Sequence, residues 1–184
     1  MLDRHKCTLF SGGHRGVESV FGEMAEKWGV KEVNYSFMGH KVERNCNIHH
    51  LSDEELARGD ISMELASKMM NRTYYEKRKI RKVLQLIFHM VNSGHQVFVV
   101  GTILDDGTVK GGTGWAVELA KLFQRPVSVY DQIKKQWFAW EEGKWQEDQP
   151  KIEHETFCAS GTRDLTTEGR QAIEQLFADA FGTA

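Results

Sequence analysis

Residues 97–120 read VFVVGTILDDGTVKGGTGWAVELA, and this stretch decides the fold. The apolar run 97–100 has the length of a strand that is buried on both faces of a sheet. A long loop follows, and a cluster of glycines at 111, 112 and 114 opens a helical apolar pattern that Pro126 stops. A strand that leads through a glycine turn into a helix is the unit of α/β folds with a parallel sheet.

The same unit occurs at the N-terminus. An apolar stretch over residues 6–10 ends in Ser11-Gly12-Gly13. Apolar residues then recur at intervals of three and four from Val17 to Trp28, which predicts one face of a helix, and Gly29 is its expected C-cap. Repetition of this unit favours parallel pairing with right-handed crossovers.

Periodicity and end signals predict the other elements: strands over 33–38, 127–130 and 156–159, helices from Ser52, over 61–70, over 74–92 and after Thr166, and a tryptophan-rich hairpin over 137–145. We therefore expect an α/β, Rossmann-like fold. It consists of an open, mostly parallel sheet with helices on both faces and a small Trp-rich β-hairpin.

Length and charge limit the class of protein. The chain has 184 residues, with 24 Lys and Arg against 26 Asp and Glu, and a formal net charge of −2. The length favours a single domain over residues 1–184. Binding a nucleic-acid backbone requires a basic excess, so no nucleic-acid partner is expected. No apolar run approaches the roughly 20 residues of a membrane helix, so no membrane association is expected.

The cysteines and the N-terminus predict the compartment. Cys7, Cys46 and Cys158 are scattered and form no C-x-x-C pair, so neither a disulfide framework nor a zinc ribbon is predicted. No apolar segment follows Met1, so no secretory signal is predicted. We expect a cytoplasmic protein.

The loops that follow parallel strands share one edge of the sheet, and ligands bind there. This rule brings together five segments, which are 11–16, 39–40, 101–114, Asp131 and 160–163. We expect one ligand-binding crevice that is built from these segments.

The first loop, Ser11-Gly12-Gly13-His14-Arg15-Gly16, joins a strand to a helix. Its glycines let backbone N–H groups approach an anion, and Arg15 can clamp a phosphate through two hydrogen bonds. The loop matches neither the dinucleotide fingerprint nor the Walker A motif. The alternative is a tight turn with a solvated arginine.

The second loop begins with Gly101 and Thr102 and ends with Gly111-Gly112-Thr113-Gly114 at the start of a helix. Its amides are predicted to bind the same phosphate from the other side. Glu118 lies one turn inside this helix, where a carboxylate can act as an acid–base group or stabilise a cation on a ribose. The alternative is a first-turn glutamate that the helix dipole favours.

Other candidate residues carry weaker signals. Ser160 and Arg163 follow the last predicted strand and offer further contacts to a base or a phosphate, or else belong to a capped turn. Asp105 and Asp106 favour a turn, and their carboxylates can hold Mg²⁺ beside phosphates. No metal site is predicted among His40, Cys46, His49 and His50, because their spacing fits no tetrahedral set.

Two motifs carry a resemblance to a known family. Gly111-Gly112-x-Gly114-x-x-x-Glu118 resembles the glycine motif of the LOG phosphoribohydrolases. With Ser11-Gly12-Gly13-x-x-Gly16, the chain resembles the wider SLOG superfamily. Residues 111–113 and 118–120, with Arg125-Pro126-Val127 and Asp131, resemble the members described as molybdenum-cofactor carriers.

This resemblance implies a Rossmann-like fold and a nucleotide or nucleotide-derived ligand between the two glycine loops. The first functional hypothesis is a sensor or binding protein for that ligand. The second is a LOG-like hydrolase that cleaves the N-glycosidic bond of nucleoside 5′-monophosphates with Glu118 and Arg78. The third is a carrier of the molybdenum cofactor. The resemblance also implies a homo-oligomer, which the long helix over 74–92 would pair.

Overall fold

The computed structural model describes residues 2–74 and 78–184, with Arg78 described by its backbone alone. The described strands are β1 Thr8–Ser11, β2 Lys31–Ser36, β3 Ile48–His50, β4 Gln96–Gly101, β5 Val127–Asp131, β6 Gln136–Glu141, β7 Lys144–Asp148 and β8 Thr156–Gly161. The described helices are α1 Val17–Trp28, α2 Asp53–Ala57, α3 Asp60–Met70, α4 Arg78–Ser93, α5 Thr113–Leu122 and α6 Thr167–Phe181.

The described strands form one eight-stranded sheet in the order β3-β2-β1-β8-β4-β5-β6-β7. Every pairing from β3 to β5 is parallel. The hairpin β6–β7 continues the sheet beyond β5 in antiparallel orientation, with Trp140 opposite Trp145. The expected α/β class, with a mostly parallel sheet and a Trp-rich hairpin, is confirmed.

Helices cover both faces of the sheet. Successive residues of β4 point into opposite cores: Val97 and Val99 pack with α3, α4 and α5, whereas Phe98 and Val100 pack with α1 and α6. Every residue of β4 is buried. The continuous apolar run therefore belongs to a central strand, as the sequence predicts.

Three elements differ from the sequence prediction. Strand β8 lies between β1 and β4 in the middle of the sheet, although it comes last in the chain. Strand β3 was not predicted, because its three residues are short and partly exposed and depend on pairing with β2. Strand β2 ends at Ser36, two residues early, because the chain turns there and the amide of His40 donates to the carbonyl of Phe37.

The predicted helix over 74–92 begins, in part, outside the described residues, and its described part is α4. Leu84, Leu86, Met90 and Val91 of α4 are buried in the core of this chain. The homo-oligomer that this helix was expected to pair stays a prediction. Within the described residues, no helix has the length and apolar character needed to cross a bilayer.

Candidate functional site

A cleft of about 610 Å³ opens at the carboxyl edge of the sheet. Because β8 separates β1 from β4, the loops after these three strands are neighbours. The lining residues come from these loops, from Gln132 after β5 and from α4: His14, Glu18, Val83, Ile87, Gly101, Thr102, Lys110, Gly111, Gly112, Thr113, Gln132, Ser160, Gly161, Thr162, Arg163 and Asp164.

The cleft contains some of the predicted site residues and leaves others out. Gly101, Thr102, Gly111, Gly112, Thr113, Ser160 and Arg163 line it. The remaining candidates with described side chains or backbone are not among its lining residues: Ser11, Gly12, Gly13, Arg15, Gly16, Gly114, Glu118 and Asp131. From the first loop and the helix that follows it, the cleft instead receives His14 and Glu18.

The donors of the first loop are bonded within the protein. The amides of Gly12 and His14 each donate to Glu18 Oε2 at 3.1 Å, and His14 Nδ1 lies 2.9 Å from the same oxygen. The amide of Gly13 donates to Ser11 Oγ at 3.0 Å. A carboxylate of the protein itself therefore occupies the anion-binding turn that the sequence predicts for a phosphate.

Gly13 and Gly16 are required by the geometry of this loop. Both have positive φ, at 65° and 92°. A Cβ on Gly16 would lie 2.5 Å from the carbonyl oxygen of Thr162. Gly16 therefore lets the first loop pack directly against the loop after β8.

Arg15 is exposed and lies beside the cleft rather than in it. It lines a neighbouring groove with Arg163 and Arg170. Arg163 lines both the groove and the cleft, so it is the cation at their shared rim.

A chain of polar side chains runs from the cleft to the end of β2. His14 Nε2 lies 2.7 Å from His40 Nε2, and His40 Nδ1 lies 3.1 Å from Ser36 Oγ. The contact between the two Nε2 atoms holds one proton, because one nitrogen must donate and the other accept. Glu18, His14, His40 and Ser36 are therefore linked in series.

The pKa shifts of these linked side chains indicate which of them carry charge. Burial would raise the pKa of Glu18, but hydrogen bonds from His14 and Gly12 outweigh it and hold the pKa below its ordinary value. Burial would lower the pKa of His14, yet the bond to Glu18 raises it. Burial and the charge of His14 lower the pKa of His40 to about 4. These shifts favour the ionised form of Glu18 and make His14 easier to protonate than His40.

The second loop presents open backbone. No described atom lies within 4 Å of the position that a Cβ would take on Gly111 or Gly112. Arg72 fixes the loop from behind, since its Nη1 donates to the carbonyl of Gly111 at 3.1 Å and its Nη2 to Thr108 Oγ1 at 2.9 Å. Gly112 is the N-cap of α5, and the amides of Gly114 and Trp115 donate to the carbonyls of Gly111 and Gly112, so Gly112 and Thr113, which line the cleft, are the residues of this helix start whose amides are suited to a ligand.

Glu118 and Asp131 have local partners. Lys121 donates to Glu118 at 2.9 Å, and its ammonium lies 3.6 Å from the centre of the Trp140 ring. Asp131 Oδ2 accepts from the amide of Ile103, and its Oδ1 accepts from two amides of the following turn. The structure thus places Glu118 toward the hairpin and gives Asp131 a role in holding the start of the second loop.

Two further candidates concern catalysis and metals. The side chain of Arg78, the predicted partner of Glu118, lies outside the described residues. Asp106 accepts from the amide and the hydroxyl of Thr108, as expected for the predicted turn. Within residues 2–74 and 78–184, no three His, Cys, Asp or Glu side chains form a group that could hold a metal ion.

The sequence reasoning placed His14 and His40 only within the segments expected to build the crevice, and it did not single out Glu18. A signal for the first two is the spacing of four residues between His14 and Glu18, which brings His14, just before α1, close to Glu18 in its first turn. His40 has no such local signal, because it reaches His14 only through the pairing of β1 with β2.

The fold and the cleft define an α/β protein with a polar site at the carboxyl edge of an open, mostly parallel sheet. Comparison with known proteins found no matching family model, no matching curated protein and no matching solved structure.

Proposed function

We propose that the protein binds a phosphorylated, nucleotide-derived ligand in the cleft, as a sensor or binding protein, with the phosphate on residues 111–113. The supporting observation is the open backbone of Gly111 and Gly112 at the start of α5. Amides at a helix start attract anions through their free N–H groups and the helix dipole. Lys110 and Arg163 line the same cleft and add positive charge.

The phosphate is assigned to the second loop because the first is already occupied. Glu18 accepts from the amides of Gly12 and His14, and an ionised carboxylate there would repel a second anion. In this proposal the ligand lies between the two loops, with its phosphate at the second loop and its other end toward the first.

The nucleotide part of the proposal rests on the shape of the cleft and on the SLOG resemblance. A volume of about 610 Å³ lies in the range of small-molecule sites. Val83 and Ile87 of α4 give the cleft an apolar wall, which suits the face of a nucleobase. The resemblance supports a nucleotide over other phosphorylated molecules.

The test compares Gly112→Asp with Gly112→Asn. Gly112 has helical dihedrals, and its Cβ position is open; Asp and Asn are both favoured N-caps, so both variants are expected to fold. Only the aspartate places negative charge in the proposed phosphate site. We expect Gly112→Asp to weaken AMP binding at least about tenfold, or about 1.4 kcal/mol, and Gly112→Asn to weaken it much less.

Isothermal titration calorimetry with AMP, adenosine and inorganic phosphate measures these affinities, and a panel of nucleoside di-, tri- and cyclic phosphates extends the search. Equal effects of the two substitutions would show that the phosphate does not bind at this turn. If adenosine binds as tightly as AMP, the cleft does not recognise the phosphate. No binding across the panel would refute the proposed function.

A further inference from the structure

The groove beside the cleft has no part in the proposed binding function. Residues from the first glycine loop, α1, the loop after β8 and α6 line it, and its volume is about 350 Å³. Three of the lining residues are arginines, Arg15, Arg163 and Arg170. Arg163 also lines the cleft, so the two cavities meet at this side chain.

Two of these arginines are available to an anion. Within the described residues, the side chains of Arg15 and Arg163 form no ion pair and no hydrogen bond. Arg170 Nη2 donates to Glu23 Oε2 at 2.5 Å, and both residues line the groove. The exposed Glu43 is the other carboxylate in its lining. Since Arg170 offsets the charge of Glu23, positive charge prevails in the groove.

Ser19 is a buried polar residue whose hydroxyl lacks a partner. It lies in the first turn of α1, is 7% exposed and lines the groove. Within the part of the chain that the structure describes, its hydroxyl makes no hydrogen bond, whereas its backbone amide donates to the carbonyl of His14. Hydroxyls buried this deeply are as a rule hydrogen-bonded, so a group that enters the groove is the expected partner.

The start of α6 adds a neutral donor. Thr166 caps this helix, since its side chain accepts from the amide of Gly169 and its carbonyl from the amide of Arg170. Thr167, the first residue of the helix, lines the groove, and its amide has no acceptor among the described residues. A free amide at the start of a helix of 15 residues favours negative charge.

Together these donors favour a phosphate group. Arg15 and Arg163 supply guanidinium forks that match the geometry of phosphate oxygens, Ser19 supplies a hydroxyl, and Thr167 supplies an amide. A phosphate monoester has three strong acceptor oxygens, whereas a carboxylate has two. The phosphate therefore satisfies more of these donors than a carboxylate would.

We propose that the groove binds a second phosphate group of the same ligand, and that this ligand is a nucleotide whose two phosphates are attached to different positions of the ribose. The inference rests on the proposed function, because the first phosphate is the one held at residues 111–113. Arg163, which lines both cavities, serves both phosphates.

The first measurement compares ligands by isothermal titration calorimetry on the whole chain. Adenosine 3′,5′-bisphosphate and adenosine 2′,5′-bisphosphate carry separated phosphates, whereas ADP carries two adjacent ones and AMP carries one. We expect at least one of the two bisphosphates to bind at least about tenfold more tightly than AMP, because hydrogen bonds to a charged group are worth that much or more.

The second measurement removes groove donors that lie outside the cleft lining, with Ser19→Ala and Arg15→Gln. Each should weaken binding of the preferred bisphosphate about tenfold and change the affinities for AMP and ADP less than about twofold. The matched controls are Ser62→Ala on α3 and Arg58→Gln after α2, which line neither cavity. Both controls should bind every ligand as the unmodified chain does.

The outcomes separate the two proposals. If AMP binds and neither bisphosphate binds more tightly, the inference about the groove is refuted and the binding function stands. A bisphosphate preference that Ser19→Ala and Arg15→Gln leave unchanged, or that the controls reduce equally, places the second phosphate outside the groove and also refutes the inference. Absence of binding by all four nucleotides refutes the proposed function itself, and the inference with it.

Discussion

At the level of single residues, Glu18 sets what the first glycine turn is able to bind. It accepts from the amides of Gly12 and His14, the donors that the sequence assigns to a ligand phosphate. These bonds lie within one short segment, so the carboxylate competes with any free anion at no cost of association. A phosphate therefore meets a negative group at this turn.

The histidine pair makes stability depend on pH. The pKa of His40 falls from 6.5 to about 4 on folding, so between these pH values the unfolded chain binds a proton that the folded chain does not, and stability falls as pH falls. His14, with a raised pKa, works oppositely: its contribution is complete below the ordinary pKa and is lost as pH rises through the folded value.

We expect His40→Gln to remove the acid-side loss. The difference in unfolding free energy between this variant and the unmodified chain should change in favour of the variant as pH falls from 7 to 5, roughly across the interval in which an unperturbed histidine titrates. Urea denaturation at both pH values measures it. Parallel changes in the two chains would show that His40 titrates normally in the fold.

At the level of elements, the turn into α5 contains two positions at which glycine is favoured for different reasons. A Cβ on Gly114 would lie 2.2 Å from the carbonyl oxygen of Val109 and 2.6 Å from Arg72 Nη1. The same atom on Gly112 meets open space. Gly114 therefore lets α5 pack against the loop, whereas Gly112 keeps the cleft clear.

This difference predicts unequal costs for two matched substitutions. Gly114→Ala should destabilise the protein by about 1–3 kcal/mol, because it overpacks a tight contact. Gly112→Ala should cost less than about 1 kcal/mol, which is the scale of a poor N-cap. Chemical denaturation of both variants checks the order, and equal losses would contradict the packing role of Gly114.

Local signals were enough to predict several helix ends. The capping box of Ser52 and Glu55 forms as expected, with both reciprocal bonds present. Gly29 closes α1 in the left-handed conformation, and Thr166 caps α6 through the amide of Gly169. Such ends depend on atoms a few residues apart, so they are written in the sequence.

At the level of the whole molecule, the centre of the sheet depends on the end of the chain. Strand β8 pairs with β1 on one side and with β4 on the other. Without it, two strands from distant parts of the sequence would present unpaired edges in the middle of the core.

We expect a chain that ends at Pro150 to lose cooperative unfolding, because it lacks both β8 and α6. A chain that ends at Gly182 lacks only two exposed residues and is the control, since Trp28 Nε1 still donates to the Gly182 carbonyl. Circular dichroism during urea titration measures this. A sharp transition in the shorter chain would show that β1 and β4 pair without β8.

The candidate site was predictable in position and only partly in composition. The rule for carboxyl edges of parallel sheets located the crevice, and residues 111–113 with Ser160 and Arg163 do line one cleft. Arg15 and Asp131 lie outside its lining. The exposed side chain of Arg15 lines the neighbouring groove. The carboxylate of Asp131 accepts from nearby backbone amides.

The sequence by itself determined the class of fold, the order of most elements and the edge of the sheet where the cleft opens. These follow from periodicity, glycine turns and caps, which act over a few residues. Only the tertiary structure decided that β8 enters the middle of the sheet and that His40 reaches His14. A hydrogen-bond donor takes the acceptor that folding brings within reach, and for these groups the deciding partners come from distant parts of the chain.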